Sequence, residues 1–401
     1  MSLPSGSLPS RCEVVIVGAG PAGSALAAAL ARAGRDVVLV EARRHPRSKT
    51  CAEYASPRIA EELALLGVAR ETWRTHAVPL QGMQVIVGSD SFPVRYADRS
   101  GARTAWGLDR RGFDAALAAH AHARGAVVAE RTAFQRPIFD ESGVAGAVLH
   151  CPDGPHELRA RWLVGADGTH SRVARSVGVT RPVLAPRRLG LIARYEAAPN
   201  LDGHGEMHVG RDYYIGLAPV PGGQLNVGMA LRLPRDGAPR ATAAARFEAA
   251  VERLPAVGDR LRGLRRLTAI RGAAPIGHRV SRAAGNGWLL IGDAAGFIDP
   301  FTGEGIYRAL RSARLAAEAL EAPEQEVANR YLEARRAAFA AKDALTWLVQ
   351  GMLAAPPVMS YAVRRLGSRS ATAAILGSAL GDCRPATDAL SPAALARVLW
   401  P

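Results

Sequence analysis

Lysine is nearly missing from this chain. Only Lys49 and Lys342 contribute to its 51 basic residues, so arginine carries almost all the positive charge. Against 36 acidic residues this leaves a formal net charge of +15, which could draw the protein to nucleic acid, anionic lipid or an acidic cofactor. The arginines are scattered through an alanine-rich background rather than blocked together, so no nucleic-acid partner is expected. Cysteine is scarce as well. Cys12, Cys51, Cys151 and Cys383 lie far apart and form no CxxC pair, which excludes a thiolate zinc site and argues against a disulfide scaffold. A reducing cytoplasm fits that usage. Aromatic residues make up only 5% of the chain, so the core must rest on Ala, Val and Leu. There is no HExxH motif and no histidine pair that we assign to a metal, and without GxSxG no nucleophile triad is expected. No apolar run reaches about 18 residues. The nearest, Ala344 to Val363, is broken by Gln350, Gly351 and Pro356-Pro357, so no transmembrane helix is expected. The opening MSLPSGSLPSR is polar and lacks an apolar centre, so it does not read as a signal peptide.

What is present begins at once. Glu13 to Val17 is a continuous apolar run of the kind buried in a parallel strand. Gly18-Ala19-Gly20-Pro21-Ala22-Gly23 follows, then an Ala/Leu helix stopped by Gly34, then a second buried strand ending in Glu41. This is a complete β-α-β unit. Gly18 lets the chain turn out of the strand, Gly20 lets a pyrophosphate approach the backbone, and Gly23 lets the helix pack on the sheet. The helix N-terminus offers free N–H groups to phosphate, and Glu41 can accept hydrogen bonds from a ribose. The loop lies between strand and helix with an acid about 20 residues on, which makes it a specific dinucleotide signature.

That loop does not choose between FAD and NAD. Two later segments do. Trp288 to Ile291 is a strand that runs into Gly292-Asp293-Ala294-Ala295-Gly296. Its carboxylate can bond a ribityl hydroxyl, and its small residues let a loop lie against a flat ring. Gly165-Ala166-Asp167-Gly168 closes another strand, and Arg110 precedes Phe113-Asp114 at the head of a helix. With Pro300 to Gly305, these motifs resemble, in order, the superfamily of FAD-dependent hydroxylases and geranylgeranyl reductases, whose fold is that of para-hydroxybenzoate hydroxylase. The resemblance covers most of residues 11 to 340. It implies an α/β fold with a Rossmann-type FAD/NAD(P)-binding domain from segments 11–75, 106–180 and 275–340. A second, mixed β-sheet substrate domain would span 76–105 and 181–274, and a helical C-terminus 341–401. It further implies that Arg110 reaches the flavin, that Gly292 and Asp293 meet the ribityl or pyrophosphate region, and that Asp167 serves FAD and the nicotinamide cofactor. Val128 joins these FAD contacts. The loop with Pro300, Gly303, Gly305 and Ile306 would lie beside the pyrimidine edge of the flavin, where the N–H groups of the next helix could stabilise negative charge.

The subfamily is open at this level. Pro46 to Cys51 and Gly303 to Tyr307 resemble the geranylgeranyl-reductase branch, but Ala52-Glu53-Tyr54 stand where that branch has glycines. Its Tyr-x-Trp-x-Phe-Pro strand is here Tyr214-Ile215-Gly216-Leu217-Ala218-Pro219, which suggests a roomier cavity. The first expectation is therefore an NAD(P)H-dependent flavin monooxygenase acting on a hydrophobic or aromatic small molecule. The alternative is a reductase of carbon–carbon double bonds in an isoprenoid or lipid, and a non-catalytic flavin carrier is a third class. Halogenase chemistry is disfavoured, because no Trp-x-Trp-x-Ile-Pro stretch is present. Candidate catalytic groups are Cys51, with basic neighbours Arg47 and Lys49, and the phenols of Tyr54 and Tyr214; each singly reads first as a packing residue. Trp347, Leu348, Met352 and Leu353, followed by Arg364 and Arg365, are read as a stripe for peripheral membrane contact or for packing.

Overall fold

The computed structural model describes residues 8–197, 201–233 and 241–399. Two eight-stranded sheets organise the chain. The first is built on the apolar run at the start. Strand Arg11–Val17 lies between Val37–Glu41 and Gly154–Gly165, parallel to both, with Ile16 opposite Leu39 and Val164. Val127–Glu130 extends this sheet past Val37–Glu41. Gly154–Gly165 pairs in its first half with an antiparallel hairpin (Ala133–Asp140 and Gly143–Cys151) and in its second half with Trp288–Leu290, parallel. Val14, Val15, Ile16 and Val37 to Val40 are all buried. Each such side chain contributes about 1.5–3 kcal/mol of transfer free energy, set against the entropy of ordering the chain. Helices Pro21–Arg32, Arg110–Ala123 and Gly305–Leu320 pack together over this sheet.

The second sheet runs in the order Arg271–Ala273, Arg188–Tyr195, Gln224–Arg232, Tyr213–Val220, His204–Val209, Gly82–Val87, Asp90–Asp98, Gly101–Arg103. All its pairings are antiparallel except Gly82–Val87 with His204–Val209. Side chains alternate between its faces. Leu191, Ala193, Ile215, Leu217 and Val227 join one core with Phe247 and Val257 of the helices Ala243–Glu252 and Pro255–Leu261. The other face carries a row of directly opposed residues: Val85, Met207, Gly216, Gly228, Ile192 and Arg271. This face looks onto the first sheet's loops.

The C-terminus is helical as expected, but it does not divide at 340/341. One helix, Glu324–Ala354, runs 31 residues across that point, because no glycine or proline interrupts 324–350. It ends before Pro356-Pro357, where Pro356–Gly367 begins. That helix and Ser370–Leu380 pack on strand Asp90–Asp98 and share its core. The expected stripe is split. Leu353 is buried in this core, whereas Trp347 and Leu348 remain 46% and 38% exposed. Offsets of five and six residues turn Met352 and Leu353 well away from Trp347 at 3.6 residues per turn.

Candidate active site

Between the two sheets lies a cavity of about 1040 Å³. It starts at the glycine loop. Gly18 has φ +104°, and a Cβ there would sit 2.6 Å from the Ala166 carbonyl oxygen. Gly23 is tighter, since its Cβ would lie 2.0 Å from Gly18 O. Gly20 differs: its Cβ would meet only the Arg47 guanidinium, at 3.6 Å, so backbone is open to the cavity there. Gly20 also begins the helix Pro21–Arg32, whose first N–H groups have no side-chain cap. Glu41 is buried, accepts from Ala19 N and Arg43 N, and pairs with Arg47 at 3.0 Å.

The remaining expected contacts fall as follows. Gly292, Asp293, Pro300, Gly303, Gly305 and Ile306 line the cavity, as do Arg110 and Asp167. Lys49 Nζ lies 3.3 Å from Asp293 Oδ2, a pair open enough to exchange for a ligand hydroxyl. Asp167 accepts from Arg172 N and Val173 N and so holds the start of helix Arg172–Ser176; burial pushes its pKa up. The Arg110 guanidinium is buried and bidentate to Asp114, at 2.8 and 2.9 Å, with Cys51 beside it. Val128 sits in the core of the first sheet, and the cavity wall on that side is Thr132, Ala133 and Phe134. Gly23 is likewise a packing residue outside the wall.

These residues fit FAD. A glycine cradle and an uncapped helix N-terminus face one end of the cavity. An exchangeable carboxylate lies in the middle. At the far end Thr302 Oγ1, buried and without a protein partner, lines the wall beside the positive-φ turn at Gly303. Glu41 and Arg47 would hold the adenosine end, the glycine loop and Asp293 the pyrophosphate and ribityl chain, and Gly303 to Ile306 the ring.

Beyond that loop the cavity turns apolar. Met83, Val85, Val94, Met207, Leu380 and Gly216 line it. A Cβ at Gly216 would reach Met207 at only 3.5 Å, so the floor there admits a larger side chain into the cavity. Two phenol systems edge this region. Tyr54 Oη lies 2.8 Å from Tyr96 Oη, both buried. Tyr214 Oη donates to Asp299 Oδ1 at 2.6 Å; Asp299 pairs with Arg188 at 2.8 Å, and Arg188 donates to Gln350 Oε1 at 2.9 Å. Phe301 meets the Tyr214 ring edge-on. Cys51 Sγ accepts from Glu53 N at 3.4 Å. Thus Cys51, Tyr54 and Tyr214 all reach the cavity, as three separate groups with different partners. Sequence reasoning missed Tyr96, Arg188 and Lys342. Tyr96 follows Phe92 and Val94 in strand alternation and reads as core. Lys342 carried a signal, being one of two lysines among arginines.

Burial holds the phenols neutral. It raises Tyr54 and Tyr214 well above the usual tyrosine value, the latter helped by the Asp299 carboxylate, and it pushes Tyr331 up to about 12. Each phenol therefore stabilises the fold below the unfolded pKa near about 10, and that contribution disappears as pH rises through the folded value. Alkaline titration followed at 295 nm should show these phenolates appearing only together with loss of the circular-dichroism signal. Early, unfolding-independent ionisation of the full tyrosine complement would contradict this arrangement.

Comparison with known proteins points to the same cofactor. Residues 11–342 match the FAD binding domain family. Menaquinone reductase of Mycolicibacterium smegmatis is 33% identical over 321 residues, covering 77% of this chain and 76% of that protein. Digeranylgeranylglycerophospholipid reductase 1 of Methanopyrus kandleri is 32% identical over 330 residues, covering 78% and 82%. In fold, a geranylgeranyl bacteriochlorophyll reductase-like protein of Thermoplasma acidophilum superposes with a TM-score of 0.79 at 23% identity, covering 97% of each chain. The chain belongs to the FAD binding domain family, within the hydroxylase and geranylgeranyl-reductase superfamily, and is an FAD-dependent oxidoreductase.

Proposed function

We propose that the protein reduces a carbon–carbon double bond in a long hydrophobic substrate, with NADPH or NADH as the electron donor. The observation that carries this reading is the apolar cavity wall beyond the Gly303 loop, where Met83, Val85, Val94, Met207 and Leu380 offer no charged group to a ligand. The identities of the two reductase relatives support it. FAD, once bound and reduced by the nicotinamide donor, would supply the two electrons as a hydride. The chain's residues then have three tasks. Met207, Ile192 and Leu380 hold an alkene against the ring and exclude water. Tyr54, kept neutral by burial and backed by Tyr96, has a proton to give to the second alkene carbon. Arg188, clamped between Asp299 and Gln350, fixes the wall on which Tyr214 stands.

Hydroxylation is the second reading, favoured by the empty floor at Gly216 and by Ala218. Oxygen separates the two. Protein loaded with FAD, reduced by dithionite and mixed without oxygen with a menaquinone or a geranylgeranyl lipid should regain its absorbance near 450 nm as the substrate is saturated. Reoxidation that requires oxygen and yields a hydroxylated product would overturn the reductase reading.

A further inference from the structure

From Ala344 to Val363 the chain contains no charged residue, yet this stretch is not wholly buried. On the Glu324–Ala354 helix, Ala340, Ala344, Trp347, Leu348, Gly351 and Ala354 are all exposed. Their spacing of three and four residues places them on one side of the helix. Val358, 43% exposed, continues the surface onto the next helix. Trp347 stands out because Trp73, Trp106, Trp162 and Trp288 are buried. Arginines lie at both ends. Arg336 is exposed one turn before Ala340, and Arg364 is exposed, with Asp90 at 3.9 Å.

We propose that this face docks the protein on an anionic lipid surface. Its small area argues against the main rival, a second copy of the chain. From Ala340 to Ala354 the stripe is about 22 Å long at 1.5 Å per residue and about 10 Å wide. That is roughly 220 Å², far below the ~800 Å² per partner of a stable protein interface. A narrow apolar helix face with an exposed tryptophan and flanking arginines is instead what a lipid boundary accepts. The apolar side sinks into the acyl margin, the indole sits at headgroup level, and the arginines meet phosphate. The +15 charge of the whole chain adds attraction at distance.

The buried side of the same helix faces the cavity wall. Thr346 donates to Glu304 at 3.2 Å, and Gln350 accepts from Arg188, which holds Asp299. Asp299 and Glu304 flank the Pro300–Gly303 loop that lines the cavity. Docking would therefore bring the lipid surface within one helix diameter of the cavity wall, whatever reaction occurs there.

The experiment uses the full chain loaded with FAD and co-sedimentation with vesicles of phosphatidylglycerol and phosphatidylcholine, beside vesicles of phosphatidylcholine alone. The expected result is binding at low salt to the anionic vesicles at least about tenfold above the neutral ones, weakened by high salt. The tryptophan emission should shift to the blue on binding, and that shift should be missing in Trp347→Phe. Trp347→Glu should lower binding about tenfold or more while flavin absorbance and elution volume stay unchanged. Arg364→Gln should weaken binding at low salt alone. No sedimentation of the parent at low salt would overturn the proposal. So would parent-like binding by Trp347→Glu, or a stable dimer that Trp347→Glu dissolves. None of these readouts involves turnover, so the reductase reading stands or falls separately.

Discussion

Lys342→Met is expected to destabilise the protein by about 3–5 kcal/mol, the cost of leaving buried carboxylates without their cation. Lys342 is buried. Its ammonium donates to Ala379 O at 2.7 Å and Leu380 O at 2.8 Å, and it pairs with Asp382 at 2.9 Å and Glu304 at 3.3 Å. Burial works against its charge, but Asp382 and Glu304 together outweigh that and raise its pKa. Two carbonyl and two carboxylate oxygens lie within 3.3 Å of this compact ammonium, whose three N–H donors and full charge they share. Removing it leaves two buried carboxylates without their cation; burial already raises the Asp382 pKa, and losing Lys342, which opposes that, raises it further. The loss should therefore be greatest near neutral pH and shrink as pH falls and Asp382 takes up a proton. Urea denaturation of parent and variant at about pH 7 and about pH 5 checks the size and the sign. A variant as stable as the parent at neutral pH, or a gap that widens on acidification, would contradict the assigned role. The double variant Lys342→Met with Asp382→Asn should recover part of the loss.

Gly23→Val should disable the cofactor end of the cavity. A Cβ at Gly23 would lie 2.0 Å from Gly18 O and 3.2 Å from the Ala166 side chain. Both neighbours belong to strand ends that cannot swing aside. Inserting atoms into such a contact costs about 1–3 kcal/mol and at times more. Here the relief must come from moving the helix Pro21–Arg32 away from the sheet, together with the N–H groups meant for the pyrophosphate. FAD affinity should fall by at least about tenfold, equivalent to 1.4 kcal/mol, as read by fluorescence titration of the apoprotein. Gly20→Ala, where only Arg47 approaches, should fold normally and lose less. Equal affinities for the parent and Gly23→Val would remove the packing argument.

The parts of this protein that could be read from sequence are those whose physics is local. The strand, glycine loop, helix and strand from Arg11 to Glu41 lie within about 30 residues, and each glycine has a reason that spacing expresses. The roof strands from Arg188 to Arg232 declare themselves by alternation and turns. What stayed hidden depends on partners distant in the chain. Arg188 and Gln350 meet across 162 positions, and Lys342 finds Asp382 and Glu304 on two other elements. The parallel pairing of Gly82–Val87 with His204–Val209 leaves no periodic mark in either strand. Val128 shows the reverse case: a buried β-branched residue on a strand beside the cofactor fold, placed by packing in the core while its downstream neighbours Thr132 to Phe134 reach the cavity.

The interleaving of the two sheets also constrains synthesis. Strand Gly154–Gly165 gains its last parallel neighbour only when Trp288–Leu290 has been made, and the second sheet is completed by Arg271–Ala273. On the ribosome, both sheets thus wait for nearly the same stretch of chain, and the Gly82–Val87 segment must remain available for a partner more than a hundred residues downstream. Chains dominated by such distant pairings fold slowly and expose unpaired strand edges meanwhile. A nascent chain halted before residue 271 would carry two unfinished sheets, not one finished domain awaiting another.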